Sequence, residues 1–338
     1  MNLAKFLGRR LLLLVPLLLI VAFATFSLVR FGGQDPSAML AGPTATEAEI
    51  ARVRSAYSMD QPLAVQFATW LGRAVQGDLG KSWLSNRPVL AELIDRAPPT
   101  LELLLTGVAL GALVGVPAGI YSAFRRGKAA DYVARTVALF GFSIPTYFLA
   151  LAMLMIFFYA LDWAPPGMGR LNLMLDPPPR ITGSYFLDAL LAGKGEVARS
   201  AFSQLVLPVL CVAIAAAAPV VSQVRAIMLD VLAADHISYA RAQGLRQALI
   251  ARIALRGAAT PVVTFIGAEL AGLVGTTSLI EYVFAWGGVG QLGLDAIIKG
   301  DFAVVQGYVL VMSLIAMIIF AIADLIVLWI EPRARSAA

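Results

Sequence analysis

An all-α protein that crosses a membrane six times, with both chain ends on the cytoplasmic side, is the fold this sequence predicts, on three observations. Hydrophobic residues make up 59% of the 338 and charged residues 14%, with a mean hydropathy of +0.81. A soluble domain of this length cannot solvate such a surface. Apolar runs of membrane-crossing length recur along the chain, and the charges between those runs sort by side.

In chain order the runs are residues 11–29, 100–123, 136–160, 205–224, 259–280 and 304–330, each near the roughly 20 residues that a bilayer core asks of a helix. Lys5, Arg9 and Arg10 before the first run give it the look of a signal peptide. The run is long, no small-residue cleavage site follows it closely and five more runs come after it, so a retained anchor is expected. In the second run Gly107, Gly111, Gly115 and Gly119 share one helical face, the pattern that lets a neighbouring helix pack closely. Pro145, Pro208 and Pro219 are expected to kink the third and fourth runs or to mark their ends.

Orientation follows from charge. With the N-terminus inside, the inner segments hold 14 basic residues against four acidic ones. The basic set is Lys5, Arg9, Arg10, Arg125, Arg126, Lys128, Arg135, Arg225, Arg241, Arg246, Arg252, Arg256, Arg333 and Arg335. The outer segments hold 12 basic against 14 acidic residues, the bias expected of an inner-membrane protein with cytoplasmic ends. The formal charge of +5 is thereby absorbed by the membrane sides and gives no nucleic-acid signal. One cysteine, Cys211, and one histidine, His236, exclude an internal disulfide and any cysteine- or histidine-rich metal site.

Three carboxylates fall within the runs: Glu102, Glu269 and Asp324. An acid at that depth is costly and is expected to face the bundle interior or water. Glu102 lies near an outer end, within reach of headgroups or water. Glu269 is mid-run and is the candidate for lining a path. For Asp324, path lining and a hydrogen bond between helices are both open.

The chain divides into an N-terminal end and first helix (1–30), an exterior segment (31–98), a five-helix core (99–330) and a cytoplasmic tail (331–338). In the exterior segment Thr46 and Glu49 form a capping box opening an amphipathic stretch that ends at Tyr57. The core carries a second exterior insert, 161–204, Pro- and Gly-rich at first and helix-like around residues 185–192. It also carries a cytoplasmic loop, 225–258. There Ala242, Leu245, Leu249 and Ile253 recur at helical spacing as an apolar stripe, with Arg241, Arg252 and Arg256 on another face. Such a stripe needs a lipid surface or a protein groove.

That loop carries a resemblance. Asp235-His236-Ile237-Ser238-Tyr239-Ala240-Arg241-Ala242-Gln243-Gly244-Leu245 resembles the cytoplasmic "EAA" loop of ABC importer permeases, and most closely its form in the dipeptide/oligopeptide (peptide/nickel) branch. The series continues through Ala254-Leu255-Arg256, Pro261-Val262-Val263-Thr264, the segment from Glu281 to Gly290, Asp301-Phe302, Val305-Gln306-Gly307 and Glu331-Pro332-Arg333. Upstream it takes in Arg9-Arg10-Leu11, Asp35-Pro36, Gly77-Asp78-Leu79-Gly80, Arg87-Pro88-Val89 and Ser143-Ile144-Pro145. The resemblance covers nearly the whole chain.

It implies a type I importer permease fold and a permease subunit that forms half of the pathway for di- or oligopeptides in a bacterial inner membrane. The loop would be a coupling helix docked in a cleft of a separate ATPase. Asp235, Ser238, Tyr239, Ala240, Arg241, Ala242, Gly244 and Leu245 would form the contact, the small residues giving close approach and Arg241 an ion pair. It also implies the partners: a second homologous permease, two ATP-binding subunits that hold ATP and magnesium in place of any cofactor here, and a periplasmic or lipid-anchored solute-binding protein. The sequence departs from the pattern at Ser238, Tyr239, Gln243 and Gly287 (where proline is usual), and at Glu269, where glutamine is common. The last adds a negative charge beside the expected path and points to cargo with cationic or N-terminal ammonium groups.

Other motifs fail. Gly80-Lys81-Ser82 ends like a phosphate-binding loop, but Val75 stands where its first glycine belongs. The segment from Gly141 to Pro145 breaks the nucleophile-elbow pattern at its last position. Arg9-Arg10 reads as inner-side charge rather than a twin-arginine signal, and His236 reads as a capping or interface residue. No polar catalytic cluster is visible, so an enzyme is not expected. The rival from the residues alone is an ion-driven carrier working through Glu269 and Asp324.

Overall fold

The computed structural model describes residues 3–31, 37, 41–42, 44–56 and 60–330. The motif residues Asp35 and Pro36, the expected helix end at Tyr57, and the tail 331–338 with Arg333 and Arg335 lie outside them. The described chain is helical, with one isolated antiparallel bridge between Lys81 and Pro88. Its helices are α1 (Leu3–Phe31), α2 (Glu47–Ala56), α3 (Leu63–Val75), α4 (Val89–Phe124), α5 (Ala129–Ser143) and α6 (Thr146–Met153), which continues as a π-helix (Leu154–Ala160). There follow α7 (Tyr185–Leu191), α8 (Gly195–Ala233), α9 (Asp235–Ala242), α10 (Gln247–Val283), α11 (Val289–Lys299) and α12 (Phe302–Ile330).

Four of these, α4, α8, α10 and α12, are each long and apolar enough to cross a membrane. The pair α5 and α6 makes a fifth span if counted as one, although it bends by 97°. The expected third run is therefore not one rod. Ile144 is extended, because the Pro145 ring clashes with a helical residue before it. Pro208 and Pro219, by contrast, lie inside a continuous α8. Within α1 the described apolar stretch is Val15–Phe31.

The helices overrun the runs that predict them. At 1.5 Å per residue, the 39 residues of α8 span roughly twice the ~30 Å of a bilayer core. Most of the expected loop 225–258 is therefore the end of α8 and the start of α10, with α9 set between them. The stripe from Ala242 to Ile253 is not one helix: it is broken at Gly244, which has φ +73°.

The core is built on α4 against α8. A Cβ on Gly107 would stand 2.4 Å from the Val212 Cβ, and one on Gly111 2.8 Å from the Ala213 carbonyl oxygen. On Gly115 it would meet Val220 Cγ1 at 2.8 Å, and on Gly119 the Val221 oxygen at 2.8 Å. The absent side chains let the two backbones touch. Leu103, Leu104, Cys211, Val212 and Ala216 close the seam, and α10, α11 and α12 complete the same cluster. Outside it the solvent rule inverts: Leu113, Phe142 and Tyr159 are largely exposed, as expected where lipid is the solvent. Trp163 and Trp329, both exposed, mark opposite ends of the bundle as an interfacial belt would.

The α2 capping box forms, with the Thr46 amide donating to Glu49 Oε2 at 2.8 Å. Helix α3 docks on α1 through Phe23, Phe26, Phe67 and Trp70.

Candidate functional site

Helix α9 hangs on one extended residue, Ala234, at the end of α8. Its eight residues are too few to stand alone, so its stability comes from one inward side. Ile237 is fully buried among Val224, Met228, Leu232, Ile250, Ala254 and Ala258. Ala240 is buried as well. The helix ends in a Schellman motif: the Leu245 amide donates to the Ala240 oxygen (3.2 Å) and the Gly244 amide to the Arg241 oxygen (3.0 Å). Gly244 is needed for its left-handed backbone. A Cβ there would meet nothing within 4 Å.

The outward side is bare. Asp235, Ser238, Tyr239, Arg241, Ala242, Gly244 and Leu245 are exposed, and Tyr239 is 67% exposed. Among the described residues no ion pair reaches Arg241. Of the three small residues expected at the contact, Ala240 instead faces inward, leaving Ala242 and Gly244 on the open surface.

Below α9, in the bundle, Gly267 of α10 crosses Ala323 of α12; a Cβ on Gly267 would lie 2.3 Å from the Ala323 Cβ. Glu269 and Asp324 flank this crossing, both half-buried. Among the described residues no hydrogen bond or ion pair reaches Glu269. One and two turns on, Gly272 and Thr276 share its face and are exposed, and nothing lies within 4 Å of a Cβ on Gly272 or Gly275. A small, polar and uncovered face in a membrane helix suits a wet path or another chain better than lipid.

At the α7 end the acidic side chains Glu102, Asp188 and Glu281 are paired within the chain. Glu102 is 10% exposed and pairs with Arg170 at 3.1 Å and with the Ser184 hydroxyl, so it does not reach headgroups or water as expected from its place in the run. Arg170 also donates to the Gly183 oxygen at 2.7 Å and lies over the Tyr185 ring. Asp188, buried, accepts from the amides of Ile181, Thr182 and Gly183 and from the Thr182 hydroxyl. Burial works to raise its pKa, and these bonds outweigh burial and hold it below the usual carboxylate range. Trp286, 2% exposed, donates to the Pro99 oxygen at 3.0 Å, and buried Glu281 accepts from the Gln291 amide at 2.9 Å. Gly287, where the resemblance has proline, uses the amide that proline lacks to reach Gln291 Oε1 at 2.7 Å. Ser82, from the failed phosphate-loop motif, donates at 2.6 Å to Asp301, which caps α12.

Sequence reading missed one inner cluster altogether. Asp131 of α5 accepts from Arg225 of α8 at 2.6 and 2.9 Å, from the Ser122 hydroxyl at 2.6 Å and from the Gly127 amide at 3.0 Å. The charges are visible in the sequence, a lone acid just after the basic turn at Arg125, Arg126 and Lys128 and an arginine past the fourth apolar run, but nothing in their spacing pairs them.

Comparison with known proteins gives two family matches that tile the chain. Residues 115–336 match the binding-protein-dependent transport system inner membrane component. Residues 3–104 match the N-terminal part of the binding-protein-dependent transport system membrane component. A probable D,D-dipeptide transport system permease protein of Escherichia coli is 39% identical over 314 residues, covering 93% of this chain and 92% of that protein. A di/tripeptide transport system permease protein of Pseudomonas aeruginosa is 32% identical over 333 residues, 98% of each. A glutathione transport system permease protein of Escherichia coli is 33% identical over 328 residues, 97% of each.

Proposed function

This chain belongs to the family of binding-protein-dependent transport system inner membrane components, and on that premise we propose that it forms half of the membrane path of an ATP-driven importer of di- and oligopeptides. It is a multi-pass inner-membrane permease subunit, and such a family works with an ATPase and a solute-binding protein. In the finer reading it crosses six times with both ends in the cytoplasm. It pairs there with one homologous permease, two ATP-binding subunits that hold ATP and magnesium, and one exterior binding protein. Peptide cargo is supported by the names of the similar permeases.

The observation that carries the reading is the two-sidedness of α9, seated by Ile237 and Ala240 and bare at Ser238, Tyr239, Arg241, Ala242 and Gly244. A helix held firmly from within and left open outside is built to receive a partner and pass its motion inward. Closure of the ATPase pair would pull α9 and open the bundle outward. Glu269, with Gly272 and Thr276 beside it, lines the path and favours a peptide's ammonium end; Asp324 stands at the same crossing.

A mild-detergent pull-down of the chain from its own bacterium, read by mass spectrometry, tests the assembly. Recovery of a second permease and P-loop ATPases is expected. Recovery of the chain alone, in a preparation that still transports, would overturn the reading in favour of an ion-driven carrier using Glu269 and Asp324.

A further inference from the structure

The inner cluster around Asp131 has the geometry of a joint. All the hydrogen-bonding positions of the Asp131 carboxylate are taken, by Arg225 twice, Ser122 and the Gly127 amide. These partners come from the end of α4, the turn after it, and α8, so one side chain of α5 ties three segments. Ser122 is fully buried and Asp131 nearly so, and the Arg225 side chain is 18% exposed.

The joint stands beside the seat of α9. Arg225 follows Val224, and Met228 lies one turn further along α8; both belong to the cluster that holds Ile237. Ala123, next to Ser122, belongs to it as well. Helix α5 contributes no residue to that cluster. Further along, α5 meets α8 through small apolar groups, a Cβ on Gly141 lying 3.0 Å from the Ala218 Cβ. Apolar contacts between helices slide at little cost, whereas a bidentate arginine–carboxylate pair fixes both position and register.

We propose that Asp131 and Arg225 are positioning residues of the coupling device, whose ion pair makes α5, and the bent span it begins, move together with α9. The proposal rests on α9 being the site of ATPase contact. Without the pair, motion received at Ile237 reaches α8, α10 and α4, but α5 slips against α8 and the bent span lags.

The test uses the intact importer in vesicles, with spin labels at Arg135→Cys on α5 and His236→Cys on α9, each measured against Leu191→Cys at the opposite end. All three positions are exposed, and the native Cys211 is buried out of reach of the label. In the otherwise native chain, trapping ATP is expected to shift both distances. In Asp131→Asn the His236 distance still shifts and the Arg135 distance does not, while peptide uptake per ATP hydrolysed falls about tenfold. Arg225→Lys, which keeps the charge and loses the fork, is expected to give an intermediate loss and carries the test if the Asn variant fails to assemble. Joint movement and unchanged stoichiometry in an assembled variant would overturn the proposal and leave the ATPase contact standing. A His236 label that never responds to ATP, even with Asp131 and Arg225 intact, would sink both.

Discussion

The two ends of the bundle are finished differently. At the α7 end Glu102, Asp188, Glu281 and Asp301 are buried and each finds partners within the chain. At the α9 end Tyr239, Arg241, Ala242 and Gly244 project from a helix whose other side is locked in place. A buried charge without a partner costs several kcal/mol, so the α7 end is largely completed by its own sequence, Glu281 Oε1 and Arg170 Nε being, among the described residues, the buried atoms there without a hydrogen-bond partner. Exposed groups carry no such cost and can wait for another protein. Substitutions should therefore divide by end, stability at one and coupling at the other.

The largest loss of stability is expected for Arg170→Ala, which leaves Glu102, at 10% exposure, with the Ser184 hydroxyl alone and costs about 3 kcal/mol. Thermal unfolding in detergent measures it, and a change within error would mean that water already serves Glu102. Next is Gly111→Leu in the seam, where even a Cβ meets the Ala213 oxygen at 2.8 Å; overpacking of this kind costs roughly 1–3 kcal/mol. Insertion and yield should drop, and normal values would show that α4 and α8 have room to part.

Asp188 gives a smaller, pH-dependent effect. Its folded pKa lies below the unfolded value of about 3.9, so its contribution is complete above that value and is lost as pH falls through the folded one. Hydrogen exchange over residues 181–191 should stay slow down to about pH 4 and quicken below it. Asp188→Asn should exchange fast at every pH. Smallest is Gly244→Ala at the open end: with no neighbour to strike, it costs only the left-handed backbone, about 1 kcal/mol, and frays the last turn of α9. Gly244→Asp adds a charge on the exposed side of α9; on the proposed ATPase contact it should leave yield unchanged and cut uptake per ATP by about tenfold or more.

Much of this was legible in the sequence because the signals are periodic or local. Four-residue spacing put Gly107, Gly111, Gly115 and Gly119 on one face, and the structure puts α8 against each of them. Thr46 and Glu49 define their cap within four residues. Helix ends were less legible, since α8 and α10 extend past the apolar runs on polar residues that tertiary packing holds helical. The bend at Pro145 was readable as a break but not as an angle. Pairs distant in the chain, such as Glu102 with Arg170 and Asp131 with Arg225, leave no mark in spacing. From spacing alone Glu102 is therefore expected within reach of headgroups or water, and the inner joint gives no sign of itself.

On the proposed function, the bare side of α9 receives an ATPase. A photo-crosslinking residue placed at Tyr239 in the intact assembly tests it most directly, with Leu113, exposed on the side of α4, as the comparison site. Capture of a P-loop ATPase from Tyr239 and of none from Leu113 is expected. Capture from both sites alike, or of no ATPase from Tyr239 in an assembly that transports, would contradict it.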